Sequence, residues 1–230
     1  MDRNENKSVS CNTIQNTKQK TMKKITMLMS LATLLFLGLS SGKKEITTIS
    51  IGDEMPGQKI SLTTTKDAKT TLVDQKGKKG TLVIFSCNTC PFVIGGNSFA
   101  GWEKDYNSIG KIAAEYELGS ILVNSNAAKR DKGDNLADMK KRATDKAYVM
   151  TYALDKNSKL ADEFGAKTTP HVFLFDKDDK LVYEGQISNE HDPKAKNTIP
   201  YLREAILALG NGKEIQANKT DAVGCSIKRK

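Results

Sequence analysis

Apolar residues change their spacing several times along the chain, and each spacing predicts an element. Residues 1–21 are polar and aperiodic. Behind Lys23-Lys24, an uncharged and mostly apolar stretch of 15 residues runs from Ile25 to Leu39, with Gly38, Ser40 and Ser41 as small residues at its end. Crossing a bilayer takes about 20 apolar residues, so the stretch predicts a secretory signal peptide, with an uncleaved anchor as the alternative. Residues 1–40 are thus an extension, and 41–230 form one domain. Thr-rich, Gly-punctuated residues 46–80 predict a β-hairpin built on Lys59–Thr63 and Thr70–Val73. The continuous run Leu82-Val83-Ile84-Phe85 predicts a strand buried on both faces. Phe99, Trp102, Tyr106, Ile109, Ile112, Ala113 and Tyr116 recur in steps of three and four, the period of one helical face, with Trp102 as a core anchor.

Further strands are predicted at Ser120–Asn124 and Tyr148–Leu154. His171–Phe175 and Leu181–Ile187 predict a hairpin closed over Asp176–Lys180. A helix over 135–147 should point Leu136, Met139, Ala143 and Ala147 inward. A short one at Leu160–Phe164 ends at Gly165. A last helix opens at Pro200, with Tyr201, Ile206 and Leu209 inward. The polar loop Asn124–Asn135 joins two of these elements.

Composition narrows the classes. With 38% apolar and 27% charged residues the chain supports a packed core. The net charge is +9, of which residues 1–40 carry +4, and the remaining basic residues are interleaved with acids. No basic stripe forms, so nucleic acid is not an expected partner. A membrane is expected as a partner only through the amino-terminal segment.

Four cysteines are too few for a disulfide scaffold. Cys87 and Cys90, however, stand as Cys87-Asn88-Thr89-Cys90, where a buried strand gives way to a helix. Thiol–disulfide exchange needs a thiolate, which a helix start stabilises, and a second thiol close enough to release the substrate. This assigns Cys87 as the exposed nucleophile and Cys90 as the resolving thiol. Zinc would require a second such pair or two histidines.

Strand, helix, strand, helix, hairpin, helix, with a redox pair after the first buried strand, is the order of the thioredoxin fold: α/β, a central mixed sheet flanked by helices. Thr169-Pro170 then falls where that fold holds a cis proline, leaving backbone groups of Thr169 free to pair with a substrate chain. Cys225, ahead of Lys228-Arg229-Lys230, is an auxiliary thiol whose pKa those cations would depress. His171 keeps a copper site with Cys87 and Cys90 in view, whereas His191 is expected to be solvated.

Phe85-Ser86-Cys87-Asn88-Thr89-Cys90-Pro91-Phe92-Val93, Val123-Asn124-Ser125-Asn126, Thr169-Pro170-His171-Val172-Phe173-Leu174-Phe175-Asp176 and Gly224-Cys225-Ser226-Ile227-Lys228 resemble the bacterial peroxiredoxin-like thioredoxin family of the redoxin group, over residues 47–230. The amino-terminal segment predicts export to the periplasm or another extracytoplasmic place, membrane-tethered if that segment is uncleaved. The resemblance implies a thiol-based oxidoreductase, for which no cofactor is expected. Its partners would be protein thiols and disulfides or a redox protein, with peroxide as the alternative substrate. The Pro and Thr or Ser that precede a peroxidatic cysteine are missing, as is the Arg that peroxiredoxins carry near Thr169. Disulfide exchange is therefore expected ahead of peroxidase chemistry. Thr81 stands where ordinary thioredoxins bury an Asp. A Sco-like copper-binding assembly factor is the non-enzymatic alternative, although that type resembles a C-x-x-x-C spacing.

Overall fold

The computed structural model describes residues 46–96 and 99–230. The signal segment expected within residues 1–40, and Cys11 with it, lies outside them. Nine strands follow in chain order: β1 (Leu62–Thr64), β2 (Lys69–Thr70), β3 (Gly80–Ser86), β4 (Leu118–Asn124), β5 (Thr151–Leu154), β6 (Thr168–Thr169), β7 (His171–Asp176), β8 (Leu181–Gly185) and β9 (Cys225–Ser226). Among the described residues five α-helices accompany them: α1 (Pro91–Ile94), α2 (Tyr106–Glu115), α3 (Leu136–Asp145), α4 (Lys159–Phe164) and α5 (Tyr201–Gly210).

Seven strands make one mixed sheet in the order β2-β1-β5-β4-β3-β7-β8. β3 runs parallel to β4, and β4 to β5, while β7 joins β3 antiparallel and continues into the hairpin with β8. The expected preface hairpin is present as β1–β2 but shorter, and β1 extends the sheet beyond β5. β3 is buried along its whole length. Strand side chains alternate between faces, so Leu82 and Ile84 join the cluster of Trp102, Tyr106, Leu122 and Ile206. Val83 and Phe85 join Phe164, Phe173 and Phe175 on the other face.

Three elements depart from the periodic reading. The face starting at Phe99 is not one helix: a 3-10 turn at Trp102–Asp105 precedes α2. Gly101 sets that break with φ 78, and a Cβ there would lie 2.3 Å from the Gly95 nitrogen. α3 ends at Asp145, so Ala147 falls beyond it and is exposed rather than inward. In α5, Leu202, Ala205 and Ile206 are fully buried, whereas Tyr201 and Leu209 are only half-buried and Pro200 is the N-cap.

Trp102 is fully buried, as its place in the periodic face predicts. Its indole Nε1 donates to Ser188 Oγ at 2.8 Å, and its ring packs against Phe92 of α1 and against His191. His191 is therefore a packed residue, not the solvated one expected. Trp102→Ala removes this floor beneath α1 and is expected to cost about 3–5 kcal/mol, measured as a shift in urea unfolding.

Candidate active site

β3 and β4 are adjacent and parallel, so the loops after them leave the sheet at the same end and must meet. The loop after β3 is Cys87–Cys90, and α1 begins at Pro91 with Cys90 as its N-cap. The missing N–H of Pro91 is not required there. The loop after β4 closes over this turn from behind. Asp134, fully buried, accepts from the Asn88 backbone N–H at 2.7 Å and from Thr89 Oγ1 at 2.8 Å. The same carboxylate accepts from Asn124 Nδ2 at 2.8 Å and Asn126 Nδ2 at 3.1 Å. Tyr152 donates its hydroxyl to Asn88 Oδ1 at 3.0 Å. Arg130 then fastens the supporting loop, donating to the carbonyls of Asn124, Asp134 and Asp155 and to Asn124 Oδ1. The residues between the two cysteines are thus held by a buried carboxylate network, fully partnered as a buried charge requires.

The peptide between Thr169 and Pro170 is cis, and Thr169 touches both sulfurs. Cys90 Sγ lies 3.1 Å from the Thr169 carbonyl oxygen, and Cys87 Sγ lies 3.2 Å from Thr169 Oγ1. All three described cysteines are free thiols. Cys87, expected to be exposed, is only 1% accessible, and Cys90 is 3% accessible. The pair gives up its first proton readily and holds its second. Cys90 is pulled down to about 5, first by its hydrogen bond with Cys87 and against the cost of burial, with support from Cys225. Cys87 is pushed up by that same bond and by burial, with the Asp134 charge adding to the rise. The two thiols titrate as a pair, not as separate groups. With the proton on Cys90, the Thr169 carbonyl accepts it and the Thr169 hydroxyl is free to donate to the Cys87 thiolate.

The Thr169 backbone is not free, contrary to expectation. β9 pairs with β6, placing Cys225 opposite Thr169 and Ser226 opposite Thr168. The carboxyl-terminal strand thereby brings a third sulfur to Cys90. The Cys225 pKa is not depressed by the nearby cations. Burial leads a rise to about 11, its bond with Cys90 adds to it, and Lys228 opposes it. Lys228 Nζ donates to Ser226 Oγ, and Arg229 is committed to Asp162 and the Ala166 carbonyl.

His171 does not meet the thiols. Its Nδ1 accepts from the Lys167 N–H at 3.1 Å, and its Nε2 sits 2.6 Å from Glu184 Oε1. Both ring nitrogens are spent, so the copper site of Cys87, Cys90 and His171 loses its imidazole. Among the described residues, no three His, Cys, Asp or Glu side chains are arranged to hold a metal ion. Burial lowers the His171 pKa below its ordinary value, with Glu184 opposing and Lys167 and Lys219 assisting. The folded protein thus binds this proton less readily than the unfolded chain. Stability is full above the ordinary histidine pKa of about 6.5 and falls as pH drops through it towards the folded value. In urea titrations between neutral pH and pH 5, His171→Gln is expected to flatten that fall.

Asp134, Arg130 and Tyr152 escaped the motif reading, and Asn124 and Asn126, quoted in one of its motifs, were given no role. Their signal was the density of Asn and Asp in the loop after a strand that must lie beside β3. Thr81 is fully buried and its hydroxyl has no hydrogen-bond partner.

The sheet order, the Cys87–Cys90 turn before a helix and the cis proline define a thioredoxin-like fold. A family model for redoxins matches residues 50–199, and the chain belongs to that family. An uncharacterised conserved protein of Geobacillus kaustophilus superposes with a TM-score of 0.70 at 27% identity, over 80% of this chain and 94% of that one. A hypothetical protein of Sinorhizobium meliloti 1021 does so with a TM-score of 0.70 at 26% identity, over 80% and 97%. Peroxidoxin BcpB of Mycobacterium tuberculosis shares the fold at 13% identity and a TM-score of 0.51, over 71% of this chain and 97% of that one. No curated protein sequence matches the chain.

Proposed function

We propose that this redoxin is a thiol–disulfide oxidoreductase with Cys87 and Cys90 as its redox pair. The observation that carries the reading is the double contact of Thr169: one residue, before a cis proline, meets Cys90 with its carbonyl and Cys87 with its hydroxyl. Cys87 attacks a substrate disulfide while the remaining proton of the pair rests on Cys90. The departing substrate sulfur takes up a proton, and a mixed disulfide forms at Cys87. Cys90 then attacks Cys87 Sγ, closes the Cys87–Cys90 disulfide and releases the second substrate thiol. The amino-terminal pattern of residues 22–40 supports an exported enzyme, so protein thiols and disulfides outside the cytosol are the substrates inferred.

Peroxide is the competing substrate class. In a peroxidase a cation would face the developing charge on the peroxide oxygens. Arg130, in the loop behind the motif, instead directs its guanidinium at carbonyl and amide oxygens. The deciding experiment sets the rate of oxidation of the reduced protein by hydrogen peroxide beside its rate with a model protein disulfide. Cys87→Ser serves as control, and the products are mapped by alkylation and mass spectrometry. Disulfide exchange should be fast and lost in Cys87→Ser, while peroxide reacts no faster than with an ordinary thiolate. Fast peroxide oxidation at Cys87 to a sulfenic acid would replace this assignment.

A further inference from the structure

We propose that the carboxyl-terminal strand is a built-in substrate of the redox pair. It is seated where a disulfide-bearing chain would dock, and Cys225 is the third member of an internal thiol relay. The proposal rests on the redox reading of Cys87 and Cys90 and extends it.

Three independent features build the seat. First, β9 lies antiparallel to β6, with Cys225 opposite Thr169. An extended chain adding to a strand edge makes the same pairing. Second, the approach depends on a missing side chain: a Cβ on Gly224 would lie 2.3 Å from the Thr169 carbonyl oxygen and 3.2 Å from the Pro170 nitrogen. Third, the strand is pinned by the two residues that follow it. Ile227 is buried in the core and its N–H donates to the Lys167 carbonyl at 2.9 Å. The Lys228 N–H donates to Asn126 Oδ1 at 2.9 Å, on the same loop whose Asp134 holds the Cys87–Cys90 turn. The pairing sets Cys225 across from Thr169, the residue that touches both other sulfurs, and Cys225 is the most exposed of the three described thiols.

This arrangement answers a difficulty of the site, because Cys87 and Cys90 are both buried. From the oxidised pair, the Cys225 sulfur attacks Cys90 Sγ. The Cys87–Cys90 bond breaks, a Cys90–Cys225 bond forms, and Cys87 leaves as a thiolate that takes up the proton Cys225 has lost. One disulfide is exchanged for another, so no electrons enter or leave. The Thr169 hydroxyl, 3.2 Å from Cys87 Sγ, is placed to support the departing sulfur. The disulfide now ends at Cys225, where a reducing thiol from a partner protein attacks it. Two electrons from that dithiol regenerate the Cys90 and Cys225 thiols.

The test uses the full-length chain with Cys11→Ser, so that only the three site thiols react. Each variant is treated with glutathione disulfide, alkylated and mapped by peptide mass spectrometry. Cys87→Ser is expected to form an intramolecular Cys90–Cys225 link, and Cys225→Ser only the Cys87–Cys90 link. Gly224→Val, which drives the strand off Thr169, should keep the Cys87–Cys90 link and lose the Cys90–Cys225 link. If Cys87→Ser shows only free thiols or glutathione adducts at Cys90 and Cys225, the relay is overturned while the redox pair stands. A Cys90–Cys225 link that persists undiminished in Gly224→Val overturns the seating. If Cys225→Ser fails to link Cys87 to Cys90, the redox reading itself fails, and that outcome is distinct from the others.

Discussion

Cys87→Ser is expected to remove the catalysed reduction of a model protein disulfide with dithiothreitol as the electron source, leaving only the slower exchange of Cys90 and Cys225 with excess glutathione disulfide. A hydroxyl has no accessible anion at neutral pH, and the nucleophile in exchange is the thiolate. Cys90→Ser should fail differently. Attack by Cys87 survives, but the mixed disulfide is not resolved by its neighbour, so the protein should accumulate covalently attached to its substrate. Trapping in Cys90→Ser but not in Cys87→Ser is the signature of the assigned order, and trapping only in Cys87→Ser would reverse it. Thr169→Val provides a finer readout. It keeps the carbonyl that faces Cys90 and removes the hydroxyl that faces Cys87. Exchange should slow while the fold is retained, with the pH at which Cys87 becomes alkylated moving upward.

The second large effect is on stability. Asp134→Ala deprives four donors of one acceptor: the buried Asn88 N–H, Asn124 Nδ2 and Asn126 Nδ2, and the hydroxyl of the exposed Thr89. Each orphaned buried donor costs about 1–3 kcal/mol, and partial relaxation and water entry reduce the sum to an expected loss of about 3–5 kcal/mol in urea unfolding. Asp134→Asn keeps the shape and one good acceptor, and should lose less. It also removes a negative charge that raises the Cys87 pKa, so Cys87 should be alkylated at lower pH than in the parent protein. A loss of under about 1 kcal/mol in Asp134→Ala would mean that water replaces the carboxylate without penalty, and that the network does not hold the redox turn.

The sheet was largely legible because its strands carry the signals that a buried sheet requires. Leu82–Phe85 has no polar break and falls on both core faces, and His171–Phe175 with Leu181 onward needs only the turn at Asp176–Lys180. The redox turn was legible because the spacing of Cys87 and Cys90 is local, and Thr169-Pro170 because proline marks the strand it precedes. Long-range packing hid the rest. Nothing local to Asp134 states that its carboxylate will reach the Asn88 N–H, 46 positions away in the chain. Cys87 looked exposed because a strand end usually is. It is buried in the core cluster with Leu82, Trp102 and Tyr106, and the strand that covers the Thr169 backbone, β9, is a two-residue element that no periodicity can announce and that depends on Gly224 having no side chain. His171 illustrates the opposite failure. The combination of two cysteines with a distant imidazole kept a copper site in view, whereas in the fold the His171 ring meets Glu184.

The most direct measurement of the central claim is a redox titration of the full-length Cys11→Ser chain in glutathione buffers. The thiol state at each step is trapped by alkylation and read by mass spectrometry. The account predicts a reversible two-electron transition in which Cys87 and Cys90 lose their free thiols together and appear joined in one disulfide. Cys87 and Cys90 remaining reduced across the range, or oxidising independently of each other, would contradict it.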